Sequence, residues 1–354
     1  MSWEKYVRTV EPYVPGEQPK SKRVIKLNTN ECPYPPSPKV KRALRKIDSK
    51  RLRLYPDPQA EELVKTLADY YDVKKEQVFV GVGSDDVLSM AFLTFFNSKK
   101  PILFPDITYS FYDVWADLYK IPYERLPLDE NFQIKTEDYT KDNGGIVIAN
   151  PNAPTGLMTS VSEIEKIIKA NKDVVVIVDE AYVDFGGESC VPLVDKYDNL
   201  LVVQTFSKSR AMAGMRIGFA IGSKKLIKYM LDAKFSFNSY TMNLPSLELG
   251  VASVKDDKYF KATVQKVIQT REWTKAQLKE LGFTFPDSKT NFIFATHKEV
   301  PAKELFEKLK KDNIYVRYFN KPRIDNYLRI SIGTDEEMQK LIECLTKYLG
   351  KRKA

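Results

Sequence analysis

Three short, uninterrupted apolar runs do most to limit what this chain can become: Ile146-Val147-Ile148-Ala149, Val174-Val175-Val176-Ile177-Val178 and Leu200-Leu201-Val202-Val203. A strand with one wet face alternates apolar and polar residues. A β-branched run without alternation is a strand covered on both faces, the pattern of a parallel sheet between layers of helices. Further strands are expected at 78–82, 102–104, 123–126 and 218–221. They are interleaved with helical stretches at 38–47, 60–71, 86–96 and 224–233, the alternation of an α/β fold.

Each run ends in polar residues. The first enters Asn150-Pro151-Asn152-Ala153-Pro154-Thr155-Gly156, the second Asp179-Glu180-Ala181-Tyr182, and the third a loop containing Ser207-Lys208 and, further on, Arg216. In open α/β sheets ligands bind outside the carboxyl ends of the strands, so Asn152, Asp179, Tyr182 and Lys208 should converge on one crevice. A lysine just beyond a buried strand is partly desolvated, which favours the free amine as a nucleophile toward carbonyls. Ser207 and Arg216 can bind a phosphate. Gly81-Val82-Gly83-Ser84-Asp85-Asp86 has the start of a dinucleotide fingerprint, but Asp86 stands at its third glycine position, so a dehydrogenase is disfavoured. A single phosphate still fits the start of this helix, where Ser84 reads equally well as a plain N-cap.

Composition excludes several other chemistries. His297 is the only histidine, which rules out histidine triads and multi-histidine metal sites, so no metal is expected. Cys32, Cys190 and Cys344 show no paired spacing. The net charge of +9 is spread among interleaved acidic and basic residues without a basic stripe, and no nucleic-acid partner is expected. No run is long enough to span a bilayer and Met1-Ser2-Trp3-Glu4-Lys5 lacks a signal-peptide core, so the expected location is cytoplasmic, away from membranes.

Taken in order, several segments carry a resemblance: Asn28-Thr29-Asn30-Glu31-Cys32-Pro33-Tyr34, Tyr55-Pro56-Asp57, Gly83-Ser84-Asp85-Asp86, the 150–156 loop, Asp179-Glu180-Ala181-Tyr182, Ser207-Lys208 with Arg216, and Leu328-Arg329-Ile330-Ser331. Together they resemble the fold-type I pyridoxal-phosphate (PLP) aminotransferases, and among them the histidinol-phosphate aminotransferase group, over nearly the whole chain. The resemblance implies an α/β fold in which a large, mainly parallel-sheet, PLP-binding domain (31–250) is joined to a smaller α+β domain (251–354). An N-terminal arm (1–30) would pack with the smaller domain. It implies Lys208, Asp179 and Tyr182 as catalytic residues. Lys208 would carry the cofactor and move the substrate's proton, Asp179 would keep the pyridine nitrogen protonated, and Tyr182 and Asn152 would hold the ring oxygen. Ser84, Asp85, Ser207 and Arg216 would bind the cofactor phosphate, Tyr109 would stack on the ring, and Tyr55 would reach the phosphate of a neighbouring subunit in a homodimer.

For substrate, the resemblance assigns the anionic group to Arg329, helped by Arg317, Tyr13 and Asn30; Arg317 reads equally as a surface charge at a strand edge. The implied reaction interconverts histidinol phosphate plus 2-oxoglutarate and imidazole acetol phosphate plus glutamate, a step of histidine biosynthesis. Threonine-phosphate decarboxylase and an aromatic amino-acid aminotransferase are the rival readings, and a non-catalytic PLP-binding regulator is disfavoured because Lys208 is present. Two stretches depart from the family pattern. Ser236-Phe237-Asn238-Ser239-Tyr240 stands where the family has a proline-tyrosine-asparagine run, so Phe237 and Tyr240 change the hydrogen bonding the family pattern implies for the substrate pocket, and Cys32 and Pro35 alter the run after Glu31.

Overall fold

The three apolar runs lie side by side as parallel strands, with Ile146 paired to Val176 and Val176 to Leu200. The structure, a computed structural model, describes residues 3–19 and 23–353, with side chains as far as 350. Residues 1–2 and 20–22 of the expected arm, and Ala354, lie outside the described residues. Chain order opens with β1 (Ile25–Leu27), α1 (Pro38–Lys46), α2 (Glu61–Tyr71), β2 (Val78–Gly81) and α3 (Gly83–Phe95). It continues through β3 (Ile102–Pro105), α4 (Phe111–Tyr119), β4 (Tyr123–Leu126), β5 (Gly145–Ala149), α5 (Val161–Ala170), β6 (Val176–Asp179), β7 (Leu200–Thr205) and β8 (Gly218–Gly222). Then follow α6 (Lys224–Phe237), α7 (Leu244–Val254), α8 (Asp257–Glu280), β9 (Phe283–Thr284), β10 (Phe292–His297), α9 (Ala302–Lys311), β11 (Ile314–Tyr318), β12 (Leu328–Ser331) and α10 (Asp335–Lys353).

The large sheet has seven strands in the order β2-β8-β7-β6-β5-β3-β4, with only β8 running against the rest. Its two faces follow the period of the strands. Ile146, Ile148, Val176, Val178 and Val202 face one core with Leu63, Ile164 and Leu247 of α2, α5 and α7. Val147, Ile177, Leu201 and Val203 face the other with α3, α4 and α6. Each fully buried valine or isoleucine contributes roughly 1.5–3 kcal/mol of transfer free energy, so an unbroken apolar run is favoured only where both faces are covered.

The small sheet, in the order β1-β11-β12-β10-β9, takes its first strand from near the N-terminus: β1 runs parallel to β11, with Ile25 opposite Ile314. Its core contains Leu27, Phe260, Ile293, Val316, Ile330 and Leu341. The apolar residues of α7 pack with the large sheet, whereas Phe260, Val264 and Val267 of α8 pack with the small one.

Three local expectations need correction. Helix α3 begins at Gly83 rather than at residue 86, and its N-cap is Val82, so Ser84 lies inside the first turn and caps nothing. Asp86 instead reaches back and accepts from the Val82 N–H at 2.8 Å, which accounts for a carboxylate where a dinucleotide site needs glycine. From Pro245 the sequence predicts helix running into a charged segment that ends near Leu281; the structure has two helices there, broken between Val254 and Asp257. Helix α5 was not anticipated, although Ser160-Val161-Ser162-Glu163 carries the sequence signal, and the Ser160 hydroxyl accepts from Glu163 N at 3.3 Å.

Candidate active site

At the carboxyl ends of β2, β3, β5, β6 and β7 a cleft of about 570 Å³, its open mouth included, is lined by Ser84, Asp85, Tyr109, Asp179, Tyr182, Ser207, Lys208 and Arg216. Asp179 is still part of the ladder, opposite Ala149 and Val203, so its backbone is fixed by two neighbours before its side chain does anything. The carboxylate is 5 % exposed. It accepts from the Tyr112 hydroxyl at 2.9 Å and from Ala181 N at 3.2 Å. Burial raises its pKa to about 6 against the lowering effect of these bonds, leaving a carboxylate that a nearby cation would stabilise.

Lys208 is half-buried in the loop between β7 and β8. Its Nζ donates to the carbonyl of Thr29 at 3.1 Å and lies 5.7 Å from the centre of the Tyr182 ring. Asn30, in the left-handed region at φ 57° and 1 % exposed, is bonded on every side. Its N–H donates to Ser331 Oγ, Ser331 donates to its Oδ1, its Nδ2 donates to the Tyr182 hydroxyl at 2.9 Å, and Asn291 donates to its carbonyl. Asn30 therefore acts on the cleft through Tyr182.

At the start of α3, Gly83 has φ +83°, and a Cβ there would stand 2.5 Å from Nη2 of Arg216. The backbone conformation favours glycine, and any side chain would also have to push the Arg216 guanidinium aside. Arg216 pairs with Asp85 at 3.1 Å, and the Tyr109 hydroxyl donates to the other Asp85 oxygen at 2.8 Å. The first N–H groups of α3 have no partners within the helix. Together with Arg216, Ser84 and Ser207 they form a cationic, donor-rich end suited to a phosphate.

The arginines expected to meet the substrate lie on the small sheet, outside the residues that line this cleft. Arg317 and Arg329 are directly opposite on β11 and β12. Like charges in that position repel unless an anion lies between them. Arg329 stacks on Phe292 and Phe319, donates to the Asn28 carbonyl at 3.0 Å, and keeps a buried Nε without a partner. Arg317 faces the carbonyls of Val14 and Pro15 at 3.4 and 3.5 Å, and the adjacent Tyr13 stacks on Phe111 at 4.2 Å beside Tyr109.

Not every expected residue reaches the cleft. Both amide hydrogens of Asn152 are used behind its wall, on the Ile107 carbonyl and Thr155 Oγ1, so the expected bond from this amide to a ring oxygen is not available in this arrangement. Phe237 and Tyr240 do not line the pocket of their own chain: Phe237 is 74 % exposed, and Tyr240 stacks on Tyr55 at 4.5 Å. Tyr55, 82 % exposed, likewise stands away from this chain's cleft. The residue that sequence reasoning missed is Tyr112. Its only signal was a tyrosine among apolar neighbours on one helix face, whose hydroxyl has to find a partner once buried.

The chemistry of the donor set is specific. An amine nucleophile, a buried carboxylate, a phenol and a donor-rich phosphate cradle around one cleft fit a flat group with an aldehyde, a protonated ring nitrogen, a ring oxygen and a phosphate. The chain belongs to the class I and II aminotransferases, whose family pattern it matches over residues 22–345. Within that family it is a member of the histidinol-phosphate aminotransferases. It is 52 % identical over 351 residues to the Lactococcus lactis histidinol-phosphate aminotransferase, covering 99 % of this chain and 98 % of that one. It is also 54 % identical over 349 residues to the Clostridium botulinum one, covering 99 % of each. The solved histidinol-phosphate aminotransferase of Clostridium acetobutylicum superposes with TM-score 0.84 at 23 % identity, covering 93 % of this chain and 100 % of that one. The Sinorhizobium meliloti one, solved in complex with pyridoxal-5'-phosphate, gives 0.84 at 20 %, covering 92 % and 91 %. The architecture is that of the fold-type I enzymes and the cofactor is pyridoxal phosphate.

Proposed function

We propose that this enzyme moves an amino group between histidinol phosphate, with imidazole acetol phosphate as its keto partner, and glutamate, with 2-oxoglutarate as its keto partner. The observation that carries the reading is the facing pair Arg317 and Arg329, one sheet away from Lys208. This pair suits a phosphate in one half-reaction and a carboxylate in the other, and the likeness to histidinol-phosphate aminotransferases over the full chain supports the choice.

Pyridoxal phosphate supplies, when bound, an aldehyde that takes amines covalently and a protonated pyridine that draws electrons from the substrate's Cα. Asp179, kept anionic and aimed by Tyr112, holds the proton on the ring nitrogen. Lys208 would hold the cofactor through its amine and, when free, would move a proton at the substrate's Cα as a general base and acid. The Tyr182 hydroxyl, oriented by Asn30, donates to the ring oxygen. Arg216, Ser84, Ser207 and the N–H groups at the start of α3 would hold the phosphate, Asp85 orients Arg216, and Tyr109 would offer its face to the ring. Arg329, with Arg317 and Tyr13, binds the substrate anion.

The same reading divides the chain into the arm at 1–30, the PLP-binding domain at 31–250 and the small domain at 251–354, and makes it a homodimer in the cytoplasm. Tyr55, Tyr240, Phe237, Leu52 and Leu54 form an exposed apolar surface beside a groove floored by Leu63 and Leu247. Such a patch on a folded chain suits a partner surface, and a second copy would bring Tyr55 to the neighbour's phosphate end.

The test is a panel of amino donors. Histidinol phosphate should convert the bound cofactor fastest in stopped-flow absorbance, with glutamate formed from 2-oxoglutarate. Faster turnover of O-phosphothreonine with release of carbon dioxide would overturn the reading, as would a preference for aromatic amino acids.

A further inference from the structure

Two residues beyond Lys208 the chain buries an arginine that the chemistry above does not use. Arg210 is 6 % exposed. Its guanidinium lies 4.1 Å from the ring centre of Phe260 on α8, and within 5.1 and 5.2 Å of those of Tyr70 and Phe206. It donates to the carbonyl of Ser253 at 3.2 Å, in the last turn of α7, where helix carbonyls lack partners within the helix and the dipole is negative. Its Nη2 is buried without a partner. Ser209, just before it, donates to the half-buried carboxylate of Asp184, which follows Tyr182 on the β6 side of the cleft.

Burying a cation is costly, and three rings with one carbonyl repay the cost only if the guanidinium stays where it is. These contacts join three bodies. The Lys208 loop is fastened through Ser209 to the segment that carries Asp179 and Tyr182. Through Arg210 it is fastened to the break between α7, which packs on the large sheet, and α8, which packs on the small sheet bearing Arg317 and Arg329.

We infer that Arg210 is a positioning residue for Lys208, fixing the lysine loop against the α7–α8 junction and so setting its place relative to the arginines of the small sheet. The inference rests on Lys208 being the cofactor-bearing lysine. A lysine displaced by a fraction of an ångström from its proton's path loses rate without losing substrate binding, and a misplacement of about 1 Å costs up to about 100-fold.

The experiment uses the holoenzyme with Arg210→Met, Arg210→Lys and, approaching the same contact from α8, Phe260→Leu. Borohydride reduction and peptide mapping first locate the pyridoxyl group. Expected for Arg210→Met is a loss of roughly tenfold to 100-fold in kcat with KM within about twofold, together with a shifted pH midpoint of the bound cofactor's visible absorbance. Arg210→Lys, which keeps the charge but not the planar stack, should fall between, and Phe260→Leu should move both readouts in the same direction as Arg210→Met. If Arg210→Met does not fold, the other two variants decide. Label on Lys208 with lowered thermal stability but unchanged kcat and absorbance would show a purely structural arginine and overturn the inference. Label on a different lysine would overturn both this inference and the function proposed above.

Discussion

The hydroxyl of Tyr112, fully buried on α4, donates to Oδ2 of Asp179 at 2.9 Å, so a helix on one face of the large sheet aims the carboxylate at the end of its central strand. The phenol is itself held well above its ordinary pKa, by burial first and then by Asp179, so it is a permanent donor and Asp179 the permanent acceptor.

Tyr112→Phe should therefore weaken cofactor binding while leaving the fold intact. A hydrogen bond to a charged group is worth about 1.5–3 kcal/mol, which corresponds to roughly 10- to 100-fold in the cofactor's Kd. Titration of the apoenzyme with pyridoxal phosphate measures it. An unchanged Kd would mean that the hydroxyl only fills space.

Asp179→Ala should lower kcat far more than it raises KM, because a protonated ring matters most when carbanion charge develops. Steady-state kinetics at saturating cofactor separates the two. With kcat unaltered, Asp179 would be a structural carboxylate.

Lys208→Ala should abolish turnover while the phosphate cradle of Arg216, Ser84 and Ser207 still retains some cofactor. Dialysis followed by absorbance reads retention, and the amino-donor assay reads turnover. Residual turnover near the native rate would remove Lys208 from the mechanism.

Glu180, next to Asp179, is buried and accepts from Ser189 Oγ, Cys190 N and Gln204 Nε2 at 2.6, 2.6 and 2.8 Å, yet burial raises its pKa to about 7. Its folded pKa lies above the unfolded value of about 4.3, so between the two the native state binds more protons than the unfolded state. Its contribution to stability is then greatest below the unfolded value and declines as pH rises through about 7. Urea unfolding at several pH values should show this decline in the native protein and a flatter profile in Glu180→Gln. Parallel profiles would remove Glu180 as its source.

Tyr55→Phe chains mixed with Lys208→Ala chains should complement each other, since some heterodimers would own one site with both residues intact. Subunits are exchanged by mild denaturation and activity compared at equal chain concentration. A mixture no more active than the average of its parents would mean that Tyr55 does not serve a neighbour's site.

Much of the fold was legible because burial on both faces leaves a direct trace in sequence: the runs at 146–149, 174–178 and 200–203 became adjacent parallel strands. The ends of those strands were legible too, since polar residues after such runs must sit at the edge of the sheet. Less visible was what each polar group bonds to. Asn152 read as a cleft amide, but its hydrogens turn to Ile107 and Thr155; Ser84 read equally as a cap or a phosphate ligand, and the side chain bonded to the helix start is Asp86; and nothing local marked Tyr112 as the partner of Asp179.

By itself the sequence determined the strand order of chemistry along the chain, because periodicity and β-branching respond to burial and act over a few residues. Only the tertiary structure decided the pairings that make the site act as a unit: Tyr112 with Asp179, Asn30 with Tyr182 across 152 positions, and Arg317 opposite Arg329. A hydrogen bond depends on where two atoms lie to within a few tenths of an ångström. That position is set by how α4, the N-terminal segment and the small sheet pack against the large one, and no local pattern of residues records it.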